Sequence, residues 1–363
     1  MKTFKGMIVV LIMSAACVAD DDRSTPHAQI RKPEALADQW ELVGEAINEP
    51  GRHIWGSSPI RTDDGKVHLF TSRWPVEAGF VPGWYTHCEI AHYVANRPEG
   101  PFSFVDIVVK GRGVGWDRLA PHNPNIQRVG KRYVLTYIAN GGEPLPASQA
   151  IGMLLADSVD GPWKPANGDP DKPMLAPPDD PAIWCYKSPV GVNNPALLVH
   201  PDGRYLLYFK AGHANRPRNG VSMGVAVATR LEGPYVIQPE PITKNKKIIE
   251  DGYAFHWRDH ICLMTTDNHG ILERGGGLLW ISKDGSEFEG PLAGFPHFGK
   301  HFFPDGVPAN AAHHYGRQVK CERPQILMIE NEPAYLYAPS KTAIDGSDGT
   351  NCYLFRRSTK TGR

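Results

Sequence analysis

Short apolar segments recur along the chain, and four of them are followed by an acidic residue, a glycine and a proline. These turns read Glu99-Gly100-Pro101, Asp160-Gly161-Pro162, Glu232-Gly233-Pro234 and Glu289-Gly290-Pro291, and their acids are 61, 72 and 57 residues apart. A repeat of this length, built from strands without helical periodicity, is typical of the blades of a β-propeller.

A second pattern lies between these turns and occurs five times. Each copy has a polar residue followed by a strand, a tight polar turn and another strand. Asp-Gly and similar turns between apolar runs indicate β-hairpins, because glycine adopts positive φ at little cost. The hairpins start at Ser58, Asn123, Asn194, Asp251 and Arg323, in steps of 65, 71, 57 and 72 residues.

The sequence therefore predicts an all-β fold, a five-bladed β-propeller, as a single domain over residues 40–357. The fifth unit lacks the acid–Gly–Pro turn and ends in the strand at Cys352 to Phe355. We expect Trp40 to Ile47 to pair with this last blade, because ring closure removes a free sheet edge. A β-sandwich with similar turns is the alternative fold.

The N-terminus has the pattern of an export signal. Lys2 and Lys5 precede an apolar run that ends at Met13, and small residues lead to Cys17. We expect residues 1–19 to be a signal peptide and 20–39 to be a linker. The signal is either of the lipoprotein type, with a lipid anchor at Cys17, or is cleaved near Ala19. The expected location is periplasmic, on the outer membrane of a bacterium, or secreted.

The charge balance limits the classes of binding partner, and the cysteine spacing argues against a zinc site. The 39 basic residues balance 39 acidic ones, which argues against nucleic acid or an acidic membrane surface as a partner. Five cysteines follow Cys17, without the close spacing of a zinc site. We expect mostly buried thiols. The sequence leaves the oligomeric state open.

The hairpin starts predict a site, because the innermost strands of a propeller surround its axis. Each start carries a polar or charged residue where a purely structural strand would begin with an apolar one. The residues are Ser58, His122-Asn123, Asn193-Asn194, Glu250-Asp251 and Glu322-Arg323. A single polar residue before proline is ordinary turn chemistry, but five at equivalent positions favour a functional site.

Three of these residues are acids, namely Glu250, Asp251 and Glu322. Clustered carboxylates separate each other's pKa values, which leaves one protonated and one ionised, as cleavage of a glycosidic bond requires. The structural alternative is that the acids form ion pairs between blades.

Histidine and aromatic side chains complete the candidate site. His122, His269 and His314 lie near the starts of the innermost strands or in the loops above them, and they are suited to proton transfer. A structural role is the alternative for each. Trp55 and Trp116 are candidates to stack on sugar rings. No tight metal-binding spacing occurs, so no cofactor is required; a divalent cation in the channel is left open.

The blade phrases resemble those of five-bladed β-propeller glycoside hydrolases, notably families 43 and 117. The resemblance rests on the segments 64–72 and 156–162 and on Glu322-Arg323-Pro324-Gln325, and it covers roughly residues 40–357. Family 43 implies an Asp base, a second Asp and a Glu acid, but Ser58 and Asn194 stand at the first two positions. Family 117 implies a histidine acid beside a last-blade Glu, for which His314 is the candidate.

We therefore expect an exported, exo-acting glycoside hydrolase that releases a terminal sugar from plant or algal oligosaccharides. Glu322 and either Glu250 or Asp251 would form the acid/base pair, with His122 and His314 as partners. Substrate would be held by Ser58, Asn123, Asn194, Arg323, Trp55, Trp116 and His269. A polysaccharide lyase and a non-catalytic glycan-binding propeller are the alternatives.

Overall fold

The structure is a computed structural model that describes residues 32–142, 148–213, 220–316 and 319–358. These residues form five antiparallel sheets of four strands and a separate two-stranded sheet. The five larger sheets are the blades of a β-propeller, which confirms the predicted fold. The predicted signal peptide and Cys17 lie outside the described residues.

The first four blades follow one another along the chain. Blade 1 consists of β2 (Arg52–Arg61), β3 (Val67–Pro75), β4 (Glu89–Ala95) and β5 (Ser103–Val109). Blade 2 consists of β6 (Pro121–Val129), β7 (Arg132–Asn140), β8 (Gln149–Ala156) and β9 (Lys164–Pro165). Blade 3 consists of β10 (Val192–Val199), β11 (Tyr205–Gly212), β12 (Val221–Ala228) and β13 (Val236–Ile237). Blade 4 consists of β14 (Glu250–Trp257), β15 (His260–Thr266), β16 (Gly277–Ser282) and β17 (Glu289–Phe295).

The fifth blade joins the two ends of the domain. It consists of β19 (Gln325–Ile329), β20 (Glu332–Ser340), β22 (Asn351–Arg357) and the N-terminal strand β1 (Trp40–Ile47). Strand β1 pairs antiparallel with β22, from Trp40 opposite Arg357 to Ile47 opposite Cys352. The predicted closure by the N-terminal strand is confirmed, and the blade has no free outer edge at β22.

Smaller elements decorate this ring. They are the helices α1 (Phe80–Thr86) and α2 (Phe298–Phe302) and the strand pair β18 (Ala312–His313) and β21 (Thr342–Ala343). None of these was predicted from the repeats. Among the described residues, no helix has the length and apolar character needed to cross a membrane.

Apolar side chains between the blades form the core. Between blades 2 and 3, for example, Val134 and Ile151 pack in one buried cluster with Leu207 and Phe209. The five cysteines of the domain are buried and free, which agrees with the prediction. The innermost strands β2, β6, β10, β14 and β19 contact one another in ring order, so their N-terminal ends meet around the axis.

The fourth acid–Gly–Pro copy differs from the other three. Those three are turns that lead into β5, β9 and β13, whereas Glu289-Gly290-Pro291 lies within β17 itself. The repeat therefore predicted the existence of all four outer segments but not the start of the last one.

Candidate active site

One residue in or beside each innermost strand has positive φ, and together these five residues encircle the axis. They are Gly56 at 58°, Asn123 at 52°, Asn194 at 52°, Asp251 at 65° and Arg323 at 47°. In the first four blades each lies at a shift in the strand register. Left-handed backbone is uncommon outside glycine, and its recurrence in five blades marks a shared structural position. We call these five residues the axial ring.

The axial ring corrects one sequence prediction. The register shift of blade 1 lies between Trp55 and Ser58, and that of blade 2 lies between His122 and Asn125. Gly56 is therefore the equivalent of Asn123, and the prediction that Ser58 is the equivalent hairpin start in blade 1 was wrong by two residues. Ser58 is fully buried, and its hydroxyl accepts a hydrogen bond from the Ile126 amide at 3.1 Å.

Hydrogen bonds connect four members of the axial ring. The Asn123 amide donates to Asn194 Oδ1 at 2.7 Å, and the Asn194 amide donates to Asp251 Oδ1 at 2.8 Å. The backbone N–H of Arg323 donates to Asp251 Oδ2 at 3.3 Å, and Arg323 Nη2 donates to the Asn123 carbonyl at 3.3 Å. Blades 2, 3, 4 and 5 are thus joined across the axis by side chains predicted to form the site.

Arg323 brings a buried positive charge into this ring. Its side chain has no exposed surface, and Nε and Nη1 have no hydrogen-bond partner among the described residues. Burial lowers the pKa of Arg323 to about 10, and the Asp251 carboxylate opposes this shift. A Cβ atom on Gly56 would lie 3.2 Å from Asn123 Oδ1 and 3.6 Å from Arg323 Nε. Glycine therefore leaves the space that the guanidinium uses.

Asp251 is surrounded by donors. Besides Asn194 and the Arg323 backbone, Thr266 Oγ1 donates to its Oδ2 at 3.0 Å. Burial raises the pKa of Asp251, the neighbouring Glu250 carboxylate raises it further, and Arg323 lowers it. With both oxygens engaged and little exposed surface, Asp251 is better placed to hold the ring than to meet a substrate.

Glu322 stands beside the ring between two lysines. Its Oε1 lies 2.7 Å from Lys320 Nζ and 3.3 Å from Lys341 Nζ. Burial alone raises the pKa of Glu322, but the two ammonium groups outweigh it, so the net pKa is below the ordinary value. The carboxylate is consequently ionised near neutral pH.

Glu250 is the more accessible acid. Its side chain is 32% exposed, against 8% for Glu322, and its Oε2 lies 3.6 Å from Lys210 Nζ. It directly precedes Asp251, at the position that Glu322 holds before Arg323. The two glutamates therefore occupy equivalent positions in adjacent blades, at the same end of the axis.

One histidine stands directly before an axial-ring residue, as the two glutamates do, and two more histidines contact each other nearby. His122 precedes Asn123 and is buried beside Cys88, whose sulfur lies 3.3 Å from His122 Nδ1. Burial and then Arg323 hold the pKa of His122 well below its usual value. His53 and His314 have ring centroids 5.0 Å apart; burial lowers both pKa values, that of His53 to about 4. All three imidazoles are neutral at pH 7, as proton acceptors must be.

Aromatic residues are divided between core and surface. Trp55 is buried with Trp74 and Phe80 in a cluster of its own. Tyr315, in contrast, is 50% exposed, and Lys341 Nζ lies 4.4 Å from its ring centroid. Tyr315 is the better placed surface for stacking on a sugar in this part of the site.

Two predicted binding residues lie elsewhere. Trp116 packs against Tyr137 of blade 2 at a centroid distance of 6.1 Å and donates to the Pro170 carbonyl. His269 is exposed in a loop. The Asp267 carboxylate closes this loop by accepting a hydrogen bond from the backbone N–H of Ile271. No described contact joins either residue to the axial ring, and their binding roles stay predictions.

Sequence reasoning missed the lysines of the site. Lys210, Lys320 and Lys341 each lie within 4 Å of one of the two glutamates, although no repeat placed them there. Lys320 could have been noticed, because it lies two residues before Glu322 in an extended segment. Lys341 follows β20 and gave no such signal.

The axial ring does not suit a divalent cation. The metal would share this space with the guanidinium of Arg323, whose positive charge repels it. The amide and carboxylate oxygens of Asn194 and Asp251 are engaged by donors within the ring. The channel cation stays a prediction, without support from this arrangement.

Comparison with solved structures agrees with the fold. A family 117 glycoside hydrolase from the marine bacterium Zobellia galactanivorans superposes with a TM-score of 0.63 at 14% identity, over 89% of this chain and 91% of that one. CoXyl43, a family 43 β-xylosidase/α-arabinofuranosidase from a compost metagenome, superposes with a TM-score of 0.56 at 14% identity, over 86% of this chain and 94% of that one. The chain has the fold of these five-bladed enzymes.

A family 43 enzyme from Xanthomonas citri, solved with xylose, gives a TM-score of 0.56 at 12% identity, over 86% of this chain and 89% of that one. No protein-family model matches the sequence, and no curated protein matches it. Identity this low carries the architecture alone. The expected resemblance to families 43 and 117 is confirmed at the level of fold, and the chemistry must be argued from the site.

Proposed function

We propose that the protein is a glycoside hydrolase that removes a terminal sugar from plant or algal oligosaccharides. The observation that carries the proposal is the placement of Glu250 and Glu322 at equivalent positions of adjacent blades, directly before Asp251 and Arg323 of the axial ring. Hydrolysis of a glycosidic bond requires two carboxylates near the bound sugar. The fold, shared with enzymes that act on such bonds, supports the same reaction class.

The two glutamates would divide the work. Glu322, kept ionised by Lys320 and Lys341, would act as the base or nucleophile. Glu250, the more exposed of the two, would be its partner in the acid/base pair. Asp251 would position Asn194 and Arg323 rather than react, because its oxygens already accept hydrogen bonds. His122 and His314 would bind hydroxyl groups or relay protons.

The closed ring supports action at a chain end. Asn123, Asn194, Asp251 and Arg323 bridge the axis by hydrogen bonds, so a sugar would be held at one end of the axis and would not thread through the ring.

The proposal is tested by incubating the protein with a panel of neutral and acidic plant and algal oligosaccharides and identifying the products by chromatography. We expect one monosaccharide to be released from the non-reducing end of one class. Internal fragments would contradict exo action. An absence of cleavage across the panel, with tight binding to one member, would instead support a glycan-binding propeller.

A polysaccharide lyase is the second candidate, because neutral imidazoles lie near ammonium groups. His53 or His314 would remove a proton from a uronate whose carboxylate Lys341 neutralises. The products decide between the two reactions, since elimination gives an unsaturated uronate that absorbs in the ultraviolet and hydrolysis does not.

We also propose that the protein is exported, with residues 1–19 removed or with Cys17 lipidated. The support is the charged and apolar pattern before Cys17. Mass spectrometry of the mature N-terminus from a native host tests this, and an intact Met1 would contradict it. In a Cys17→Ala variant, loss of membrane association would identify the lipid anchor.

A further inference from the structure

Two histidines and an aspartate converge at the junction of blades 1 and 2, away from the axial ring. His68 is on β3, His92 is on β4, and Asp160 is in the turn between β8 and β9. One ligand atom from each lies within 4.8 Å of the others, and no other group of three among the described residues does so. Asp106, on β5 and opposite His92 in the strand register, is the fourth nearby group.

His92 carries the strongest indication of a ligand. Its side chain has no exposed surface, and its Nδ1 has no hydrogen-bond partner among the described residues. This nitrogen faces Asp106 Oδ1 at 3.6 Å and Asp160 Oδ1 at 3.9 Å, beyond hydrogen-bond range. A buried polar atom is costly without a partner, so this nitrogen is suited to bind a ligand between the imidazole and the carboxylates.

The surroundings hold the imidazole of His92 in place. Its ring stacks on Phe70 with centroids 4.7 Å apart and planes 4° apart, and Phe70 also contacts Trp163 of blade 2. His68 Nδ1 lies 2.8 Å from His92 Nε2. A partner on the second ring nitrogen selects the tautomer of a metal-binding histidine.

We propose that His68, His92 and Asp160 bind a divalent transition-metal ion of the zinc class, with Asp106 as an additional ligand. Imidazole nitrogen and carboxylate oxygen are the donors that zinc accepts, whereas calcium and magnesium require oxygen donors throughout. Tetrahedral zinc places its ligand atoms about 3.3 Å apart. His92 Nδ1 lies 3.6 and 3.9 Å from the two carboxylate oxygens, and the ligand atoms of the group of three lie within 4.8 Å of one another, so the exposed Asp106 and Asp160 side chains would rotate inward on binding.

The metal would join two blades. Asp160 belongs to blade 2, whereas both histidines belong to blade 1, so one ion would add a direct link to the packing and hydrogen bonds, such as that from Ile126 to Ser58, that already connect these sheets. This site does not depend on the proposed hydrolase activity.

Metal content and affinity test the site. The full chain, without a polyhistidine tag, is treated with a chelator and then titrated with zinc chloride by calorimetry, with zinc measured by mass spectrometry. We expect about one zinc per chain, an increase in melting temperature on loading, and affinity at least about 10-fold weaker in Asp160→Asn and His68→Gln. Asp157→Asn, in the same turn and exposed, is the matched control and should bind as the wild type does.

Asp160 is exposed, so its substitution leaves the fold intact and keeps the test informative. Failure of the wild-type chain to bind stoichiometric zinc would overturn the proposal, as would wild-type affinity in both variants. The cobalt-loaded protein offers a second reading, because its visible absorption reports nitrogen and oxygen ligands directly and should be lost in His68→Gln.

Discussion

The side-chain amide of Asn123 donates a hydrogen bond of 2.7 Å to Oδ1 of Asn194, a residue 71 positions further along the chain. The two residues are equivalent in adjacent blades, both have φ of 52°, and both are buried. Their contact begins the chain of hydrogen bonds that continues through Asp251 to Arg323. The strained backbone and the polar ring are thus one feature, in which an unusual conformation turns each side chain toward the axis.

Replacement of Asn194 by alanine should destabilise the protein by about 2–4 kcal/mol, because it leaves one donor of Asn123 and one acceptor of Asp251 unpaired in a buried site. Chemical denaturation at pH 7 measures this. Asn331→Ala is the matched control, since Asn331 also has positive φ but is exposed in a hairpin turn. Equal losses in the two variants would show that the ring hydrogen bonds add nothing.

Alanine variants of Gly56 and Gly130 allow the cost of backbone strain to be measured separately from the cost of crowding. Their φ values are 58° and 61°, but a Cβ on Gly56 would meet Asn123 and Arg323, whereas one on Gly130 would meet nothing within 4 Å. Alanine at Gly130 should cost about 1 kcal/mol from the left-handed conformation. Alanine at Gly56 should cost clearly more and should lower activity, because Arg323 must move. Thermal unfolding compares them, and a Gly56→Ala variant as stable as Gly130→Ala would refute the crowding argument.

Lys341→Met should change the pH dependence of the reaction. Burial raises the pKa of Glu322 and the Lys341 ammonium lowers it, so removal of this ammonium should raise the pKa of Glu322. Because Glu322 acts in its ionised form in our proposal, the acidic limb of the kcat/KM profile should move to higher pH. Lys300→Met, at an exposed lysine, is the control. If the acidic limb does not move, Glu322 is not the base or nucleophile of the reaction.

The repeats were sufficient to predict the fold because each blade is a local hairpin unit whose turns have recognisable residues. The N-terminal strand was also predictable, since an open ring would expose a sheet edge. Four members of the axial ring, from Asn123 to Arg323, were recognised as polar residues before proline or glycine. Gly56 was missed because it shares the backbone conformation of this group but has no polar side chain.

The charge environment was not predictable in the same way. Lys210 and Lys341 lie on or after second strands, where no repeat distinguishes them from other surface lysines. Lys210 reaches Glu250 from the neighbouring blade, whereas Lys341 reaches Glu322 within the last blade. Trp55 shows that burial was not predictable either. Because this tryptophan is close to a hairpin start, it was expected to stack on a sugar, but it packs with Trp74 and Phe80 and is buried.

The most direct test of the account compares turnover in Glu322→Gln and Glu250→Gln with that in Glu240→Gln, an exposed control on blade 3 beyond β13. Product release is measured on the oligosaccharide that the wild type cleaves, alongside binding by calorimetry and folding by near-ultraviolet circular dichroism. We predict that each site variant loses about 100-fold or more in kcat while it still folds and binds, and that the control does not. Wild-type turnover in both site variants would contradict the claim that these two carboxylates perform the reaction.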